Sequence, residues 1–353
     1  MLIEENKEVT NNSTFRIKTI AQYYCEVENL EDLKFALNFV KEKKVNWCIL
    51  GDGSNTIFAN ENLNYLIIKN KILGIEKLDF EIYKVGAGEN WDNFVRFISK
   101  QNLYGIEMLA YIPGTIGAAP VQNIAAYGGQ VSDTILEIEV YNIQTEKVEI
   151  LKNEECNFVY RGSRFKKEKY FIILNVTFKF SKKPLKNIYK EIEIYLTTNG
   201  KQKNLAGQFF KIEGEEKQEE IKFTANQITE AVTNIRKTKL PEVEETSNVG
   251  SFFQNPIIEK EKLAKILEKF PNVIFHEVDK EKVKLGAGRL SEILGFKGFV
   301  FKNFGVHKDH AIILIHLGNG KADDLFELIK IIQNKVKENF DIDFEIEPNF
   351  LIN

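Results

Sequence analysis

Between Gly105 and Gly129 the chain runs through IPGTIGAAPVQNIAAYGG, a stretch of Gly, Ala and Pro too dense for an ordinary helix or strand. Such a segment lets backbone approach another group closely, so the fold around it has to be organised for that approach. Upstream, short apolar strands alternate with glycine loops. Val45 to Leu50 runs into Gly51-Asp52-Gly53-Ser54-Asn55, Leu66 to Ile68 follows, and Tyr83 to Val85 runs into Gly86-Ala87-Gly88. Trp91, Phe94, Val95 and Ile98 fall at helical spacing and predict an amphipathic helix with its apolar face in a core. Downstream, Ile135 to Ile143, Val148 to Leu151 and Tyr170 to Phe180 read as strands. Ala225 to Lys237 reads as a helix, with Ile228, Val232 and Ile235 on one face, closed by Pro241. A last helix, Asp323 to Asn339, carries Leu325, Leu328, Ile329, Ile332 and Val336 in register. Strands and helices mixed in this order predict an α+β protein.

Composition narrows what such a fold does. With 353 residues, 43% of them hydrophobic, the chain is long enough for two or three domains with real cores. Its 48 Lys and Arg nearly balance 51 Asp and Glu, for a net charge of -3, so no global field favours nucleic acid or an anionic membrane. An anionic ligand must therefore be held by local positive groups. Cys25, Cys48 and Cys156 are odd in number and widely spaced, which fits a reducing cytoplasm better than a disulfide framework. The N-terminus is polar and acidic, and no run approaches the roughly 18 apolar residues of a membrane span. The expectation is a cytoplasmic protein with no membrane or nucleic-acid partner. All four histidines lie from His276 onward; His307 and His310 are three apart, but the apolar run Ala311 to Leu317 reads as a strand and no metal site is expected. Residues 198 to 222 combine glycines with a dense charge run and read as a solvated loop or insertion, which marks a boundary.

The loop Gly51-Asp52-Gly53-Ser54-Asn55 offers unhindered backbone N–H groups directly after a strand, the chemistry that cradles a diphosphate. Alone it reads equally as a structural turn. No Gly-x-Gly-x-x-Gly occurs, so a Rossmann dehydrogenase is disfavoured. Taken with Ile112-Pro113-Gly114-Thr115-Ile116-Gly117-Ala118-Ala119-Pro120-Val121-Gln122-Asn123 and Ala125-Ala126-Tyr127-Gly128, however, the loop resembles the FAD-binding domain of the vanillyl-alcohol-oxidase (PCMH) type. More specifically, the chain resembles the UDP-N-acetylenolpyruvoylglucosamine reductases of the longer, type I subclass. The resemblance implies that Gly51, Asp52, Gly53, Ser54 and Asn55 hold the cofactor diphosphate. It places Pro113, Gly114, Gly117, Gln122, Asn123 and Gly128 along the flavin. Ala125 departs from the family's usual glycine. Relatives in this superfamily often tether FAD to a histidine; with none before His276, the FAD here is expected to be non-covalent.

The same resemblance assigns the chemistry. As a pattern, Tyr160-Arg161-Gly162-Ser163 is an exposed polar turn or a binding segment; the family sets Arg161 against the substrate carboxylate. A fixed guanidinium there stabilises negative charge that builds when hydride adds to an enolpyruvyl double bond. Gly250-Ser251-Phe252-Phe253-Gln254-Asn255-Pro256 reads as a bend at a strand start, and the resemblance makes Ser251 the proton donor and places Asn255 at the nucleotide sugar. A neutral hydroxyl is a weak acid and protonates only a strongly basic carbon held in position. Glu345-Ile346-Glu347-Pro348 is expected to set two carboxylates on one side of a strand, with Glu347 in the active site and Glu345 outside it. Lys239 matches the family's lysine for the substrate diphosphate. Tyr189 matches the tyrosine that closes over substrate, although by pattern alone it reads equally as an ordinary aromatic.

The expected organisation is an FAD-binding region in two subdomains, 1–72 and 73–182, an insertion, lid and linker at 183–222, and an α+β substrate-binding domain at 223–353 whose last helix and strand pack back on the first subdomain. The 198–222 stretch is longer than the family pattern. NADPH is expected to reduce FAD and leave, and a UDP-sugar then to take hydride in the same cleft, with a monomer as the working form. The rival is another FAD-dependent oxidase or dehydrogenase of the superfamily acting on an alcohol or hydroxy acid, which does not require Ser251, Arg161 and Glu347 together. A flavin-binding scaffold without activity is a second rival, disfavoured by that intact set.

Overall fold

The computed structural model describes residues 1–183, 188–198 and 223–353. Apart from Thr198, the charged stretch expected as an insertion lies outside the described residues. The chain forms two units: Met1–Cys25, Ala36–Lys69 and Lys239–Asn353 in the first, Glu26–Phe35 and Asn70–Thr238 in the second.

In the first unit, the order of one sheet is Glu4–Glu8, Ile20–Val27, Asn62–Asn70, Asn46–Leu50. Asn46–Leu50 lies parallel to Asn62–Asn70, with Cys48 opposite Ile67, and its last residue, Leu50, is buried with Val9, Phe58, Leu63 and Ile67. The alternating apolar pattern thus drives one end of the strand into a core and delivers the chain to the glycine loop at Gly51. The C-terminal part adds an antiparallel sheet ordered Ser247–Ser251, Ile313–His316, Phe304–Val306, Val300–Phe301, and a second of Ile257–Glu259, Lys282–Leu285 and Phe275–Glu277. Helix Ala322–Phe340 buries Leu325, Leu328, Ile329, Ile332 and Val336, the residues at helical spacing. Asn349–Leu351 then pairs in parallel with Thr56–Phe58.

The N-terminal segment completes this core. Phe15 is fully buried and stacks on Phe304 at 5.8 Å and on His316 at 5.9 Å. Thr14 Oγ1 donates to Asn248 O at 2.7 Å, and Arg16 Nη1 donates to Val243 O at 2.8 Å. His316 is closed in from both ring nitrogens: Gly320 N–H donates to Nε2 at 2.9 Å, so the ring proton sits on Nδ1 and donates to Phe15 O at 3.0 Å. Burial holds this imidazole below its ordinary pKa. In the unfolded chain His316 takes up a proton near pH 6.5, whereas the folded chain resists it, so this contribution to stability is complete above that pH and is lost as pH falls below it. The melting temperature is expected to drop further between pH 7 and pH 5 in the wild type than in His316→Gln, whose carboxamide can serve both partners. Parallel melting curves for the two proteins would contradict this.

The second unit is built on a five-stranded antiparallel sheet ordered Lys147–Lys152, Ile135–Asn142, Phe171–Lys179, Ile82–Gly86, Ile75–Lys77. Helix Trp91–Lys100 starts at Asn90, whose side chain accepts the Asn93 N–H at 3.0 Å, and it buries Trp91, Phe94, Val95 and Ile98. Helix Ala225–Lys239, with which the sequence reading opens the C-terminal domain, shares this core through Ile228, Val232 and Ile235. Ser99 Oγ and Thr229 Oγ1 lie 2.6 Å apart, and Arg96 Nη2 donates to Thr233 Oγ1 at 3.0 Å.

Candidate active site

The predicted site residues divide between the two units. In the first unit, Gly53 is buried at φ +67°, and a Cβ there would lie 1.9 Å from Asn12 O. The loop therefore lies directly on residues 12 and 13, a closeness only glycine allows. Beneath it, Lys69 Nζ donates to Gly51 O at 2.6 Å and pairs with Asp52 at 3.1 Å, its side chain 11% exposed. Lys69 brings a local positive charge to the loop that went unnoticed in the sequence; its one signal was a lysine directly after the apolar run Leu66–Ile68.

The loop is also tied to the segment bearing Glu347. Asn349 N–H donates to Asn55 O at 2.9 Å and Asn55 Nδ2 to Glu347 O at 3.4 Å. Glu347 N–H donates in turn to Phe252 O at 2.9 Å, Gln254 N–H donates to Glu345 O at 2.9 Å, and Phe253 bridges Ile346. Ser251 and Glu347 thus sit on adjoining stretches of backbone. The expected strand at Glu345–Pro348 is only this single bridge, with the strand itself at Asn349–Leu351, because Pro348 has no N–H to continue a ladder. The two carboxylates also differ in surroundings: Glu345 is exposed, Glu347 is 8% exposed. Ser251 is exposed at the end of its strand. Asn255 Oδ1 accepts the Ala287 N–H at 2.9 Å and so holds the start of helix Ala287–Ile293. Lys239, at the end of its helix, lies where its charge is felt by His310. Burial first, then His307 and more weakly Lys297 and Lys239, hold that imidazole below its usual range, with Asp309 acting against them.

In the second unit the small-residue stretch packs against the other glycine loop. Gly117 N–H donates to Ala87 O at 2.8 Å, and a Cβ on Gly117 would lie 2.7 Å from Ala87 Cβ. Left-handed backbone recurs here at Tyr111, Gly114, Asn123, Tyr127, Gly128 and Arg161. Ala125 pairs with Gln130 in a short strand, and the positive φ values fall on Tyr127 and Gly128, so the methyl of Ala125 meets no backbone penalty. Asn123, 3% exposed, accepts the Ser132 N–H at 3.1 Å and donates to Gln130 Oε1 at 3.2 Å. Ser163 Oγ donates to Val121 O at 2.7 Å, which staples the Arg161 turn to the stretch. Arg161 itself, at φ +52°, occupies a tight turn closed by Val159 and Gly162.

Two further groups join this set. Tyr127 meets Tyr189 edge-on, with ring centroids 5.5 Å apart. Arg236 Nε donates to Tyr111 O at 3.2 Å. Burial pushes the Tyr127 phenol up to about 12, partly offset by the Arg236 charge, so it stays a hydrogen-bond donor at neutral pH. Burial likewise holds Arg236 below its ordinary value. Its sequence signal was position: Arg236 follows buried Val232 by four, on the inward face of the helix.

Each unit by itself offers donors of the kind a flavin dinucleotide takes up. Gly53 and Gly114 are buried, and among the described residues their amides have no acceptor, leaving N–H groups for an anionic or carbonyl oxygen.

Comparison with known proteins agrees. The profile described as an FAD binding domain matches residues 21–151, and that of the UDP-N-acetylenolpyruvoylglucosamine reductase C-terminal domain matches residues 241–351. The chain is an FAD-binding oxidoreductase with an α+β fold. It is 36% identical over 359 residues to the UDP-N-acetylenolpyruvoylglucosamine reductase of Flavobacterium johnsoniae, covering 99% of this chain and 100% of that one. With the reductase of Polynucleobacter asymbioticus it shares 35% over 360 residues, 99% of this chain and 96% of the other. The crystal structure of the Thermus caldophilus reductase covers 100% of both chains with a TM-score of 0.67 at 20% identity, which speaks for the fold. The chain belongs to the UDP-N-acetylenolpyruvoylglucosamine reductase family.

Proposed function

We propose that the chain catalyses NADPH-dependent reduction of UDP-N-acetyl-3-O-(1-carboxyvinyl)glucosamine to UDP-N-acetylmuramate, a step in peptidoglycan precursor synthesis. The observation that carries this reading is the joining of Ser251 and Glu347 on adjoining backbone, in a chain related along its length to reductases of that name. Gly51–Asn55, and Pro113, Gly114, Gly117, Gln122, Asn123 and Gly128, would hold FAD, which would supply the hydride. With no histidine before His276, it is held without a covalent tether.

The protein's part is charge and proton. Arg161 neutralises the substrate carboxylate as negative charge spreads into it, and its stapled turn keeps the guanidinium in place without reorganisation. Ser251 gives its proton to the adjacent carbon, and Glu347 positions the acid or returns a proton to it. Lys239, Asn255 and Tyr189 bind the nucleotide sugar, with Tyr127 buttressing Tyr189 from the side. Among the described residues no helix is long and apolar enough to cross a membrane. We extend the proposal to a cytoplasmic location and a monomer, both carried over from the sequence reading and neither shown by the fold.

The purified protein is expected to be yellow, to bleach with NADPH, and to recolour anaerobically when the enolpyruvyl nucleotide sugar is added. Recolouring by oxygen but not by the sugar would sink the reading, and bleaching by an alcohol or hydroxy acid would favour the oxidase or dehydrogenase rival.

A further inference from the structure

We propose that Asn248 is a positioning residue for Ser251, holding an extra residue in the strand where it aims the hydroxyl. The inference rests on the reading of Ser251 as proton donor. In the ladder with Ile313–His316, Asn248 pairs with Ile315 and Ser251 with Ile313, so three steps on one strand face two on the other. This is a bulge at Val249 and Gly250, and Gly250 takes φ +74° to make it. The Asn248 side chain spans the bulge. Its Oδ1 accepts the Gly250 N–H at 2.9 Å and its Nδ2 donates to Thr246 O at 2.7 Å, while its own carbonyl accepts from Thr14 Oγ1 at 2.7 Å.

Asn248 is itself 3% exposed, and its three bonds are part-buried. The bulge matters because side chains alternate along a strand. If the extra residue slipped by one position, Ser251 would turn to the opposite face of the sheet. Beyond Ser251 the backbone is fixed again by Phe252 N–H to Ile312 O and by Glu347 N–H to Phe252 O, both 2.9 Å. Asn248 therefore clamps the bulge between two fixed stretches, a point at which the serine could rotate away.

Flavin-loaded Asn248→Leu, with the same branching but without the polar atoms, is expected to be bleached by NADPH at nearly the wild-type rate. Reoxidation by the enolpyruvyl nucleotide sugar should fall by about 10- to 100-fold, the scale of a misplaced catalytic group. Asn248→Ser keeps an acceptor for the N–H two residues on and should restore most of the rate. Gly250→Ala has open space for its methyl but an unfavourable φ, and should show the same one-sided slowing. Without any flavin, exchange of the Gly250 amide hydrogen should be faster in Asn248→Leu and protected in Asn248→Ser. In a Ser251→Ala background, Asn248→Leu should slow reoxidation no further. Equal slowing of both half-reactions, a Leu effect that persists without the serine hydroxyl, or normal reoxidation in Asn248→Leu where Ser251→Ala alone is slow, would each overturn the clamp while leaving the proton-donor reading standing. A Ser251→Ala enzyme with normal reoxidation would overturn both.

Discussion

Replacing Ser251 by Ala is expected to leave reduction of the bound flavin by NADPH intact and to slow its reoxidation by the enolpyruvyl nucleotide sugar by about two to four orders of magnitude, the range of a lost general acid. The separation follows from what each half-reaction needs. Flavin reduction transfers hydride to the cofactor and asks nothing of a hydroxyl, whereas completing the reduced sugar requires a proton on carbon. Ser251 is exposed at the strand end, with its backbone next to the strip that carries buried Glu347, so removal of one oxygen should leave the surrounding backbone bonds in place. Rapid-mixing absorbance at the flavin band resolves the two rates. A variant slowed equally in both directions would mean that Ser251 shapes the site and supplies no proton.

A second large effect is expected at the glycine loop. In Gly53→Ala the new methyl would meet Asn12 O at 1.9 Å and Ser13 Cα at 3.0 Å, and both obstacles are backbone, which no side-chain rotation relieves. The left-handed φ adds about 1–2 kcal/mol to an overpacking cost of about 1–3 kcal/mol, so a loss of about 2–5 kcal/mol is expected, together with loss of bound flavin. Gly318→Ala is the matched control in the same unit: its φ is +98° but nothing lies within 4 Å of the added carbon. It should lose only the conformational part. Urea unfolding of both flavin-free variants, followed by flavin content after reconstitution, tests this. Equal losses would show that backbone conformation, not close approach, governs the position.

Elements whose pattern is local were readable in the chain. Trp91, Phe94, Val95 and Ile98 define their helix by spacing alone, and Leu50 announces the end of a strand because Gly51 follows it. The candidate site residues stood out for a different reason, since the glycine, Pro-Gly, Arg-x-Ser and Gly-Ser-Phe-Phe segments each resemble a short pattern of the family, and it is that resemblance which assigns their roles. What stayed hidden depends on long-range closure. Lys69 beneath the glycine loop, Arg236 against Tyr111 and Phe15 between Phe304 and His316 each join residues far apart in sequence. The Asn248 bulge was hidden as well, because an extra residue in a ladder is defined only by the partner strand. Glu345 and Glu347 show the limit of alternation: two residues apart, they differ in exposure because the segment forms one bridge and not a regular strand.

The first unit is assembled from both ends of the chain, while the second is drawn almost entirely from one run, Asn70–Thr238. During synthesis this imposes an order of events. By the time the ribosome has released Thr238, the second unit has every strand of its five-stranded sheet and, among the described residues, the helices Trp91–Lys100 and, but for its last residue, Ala225–Lys239. The core around Phe15, by contrast, waits for Phe252, Phe304 and His316, and the parallel partner of Thr56–Phe58 arrives only with the last few residues. The glycine loop, made early, thus spends most of translation without the strand that finally braces it, and a nascent chain cut short before residue 349 would hold a finished second unit beside an open first one.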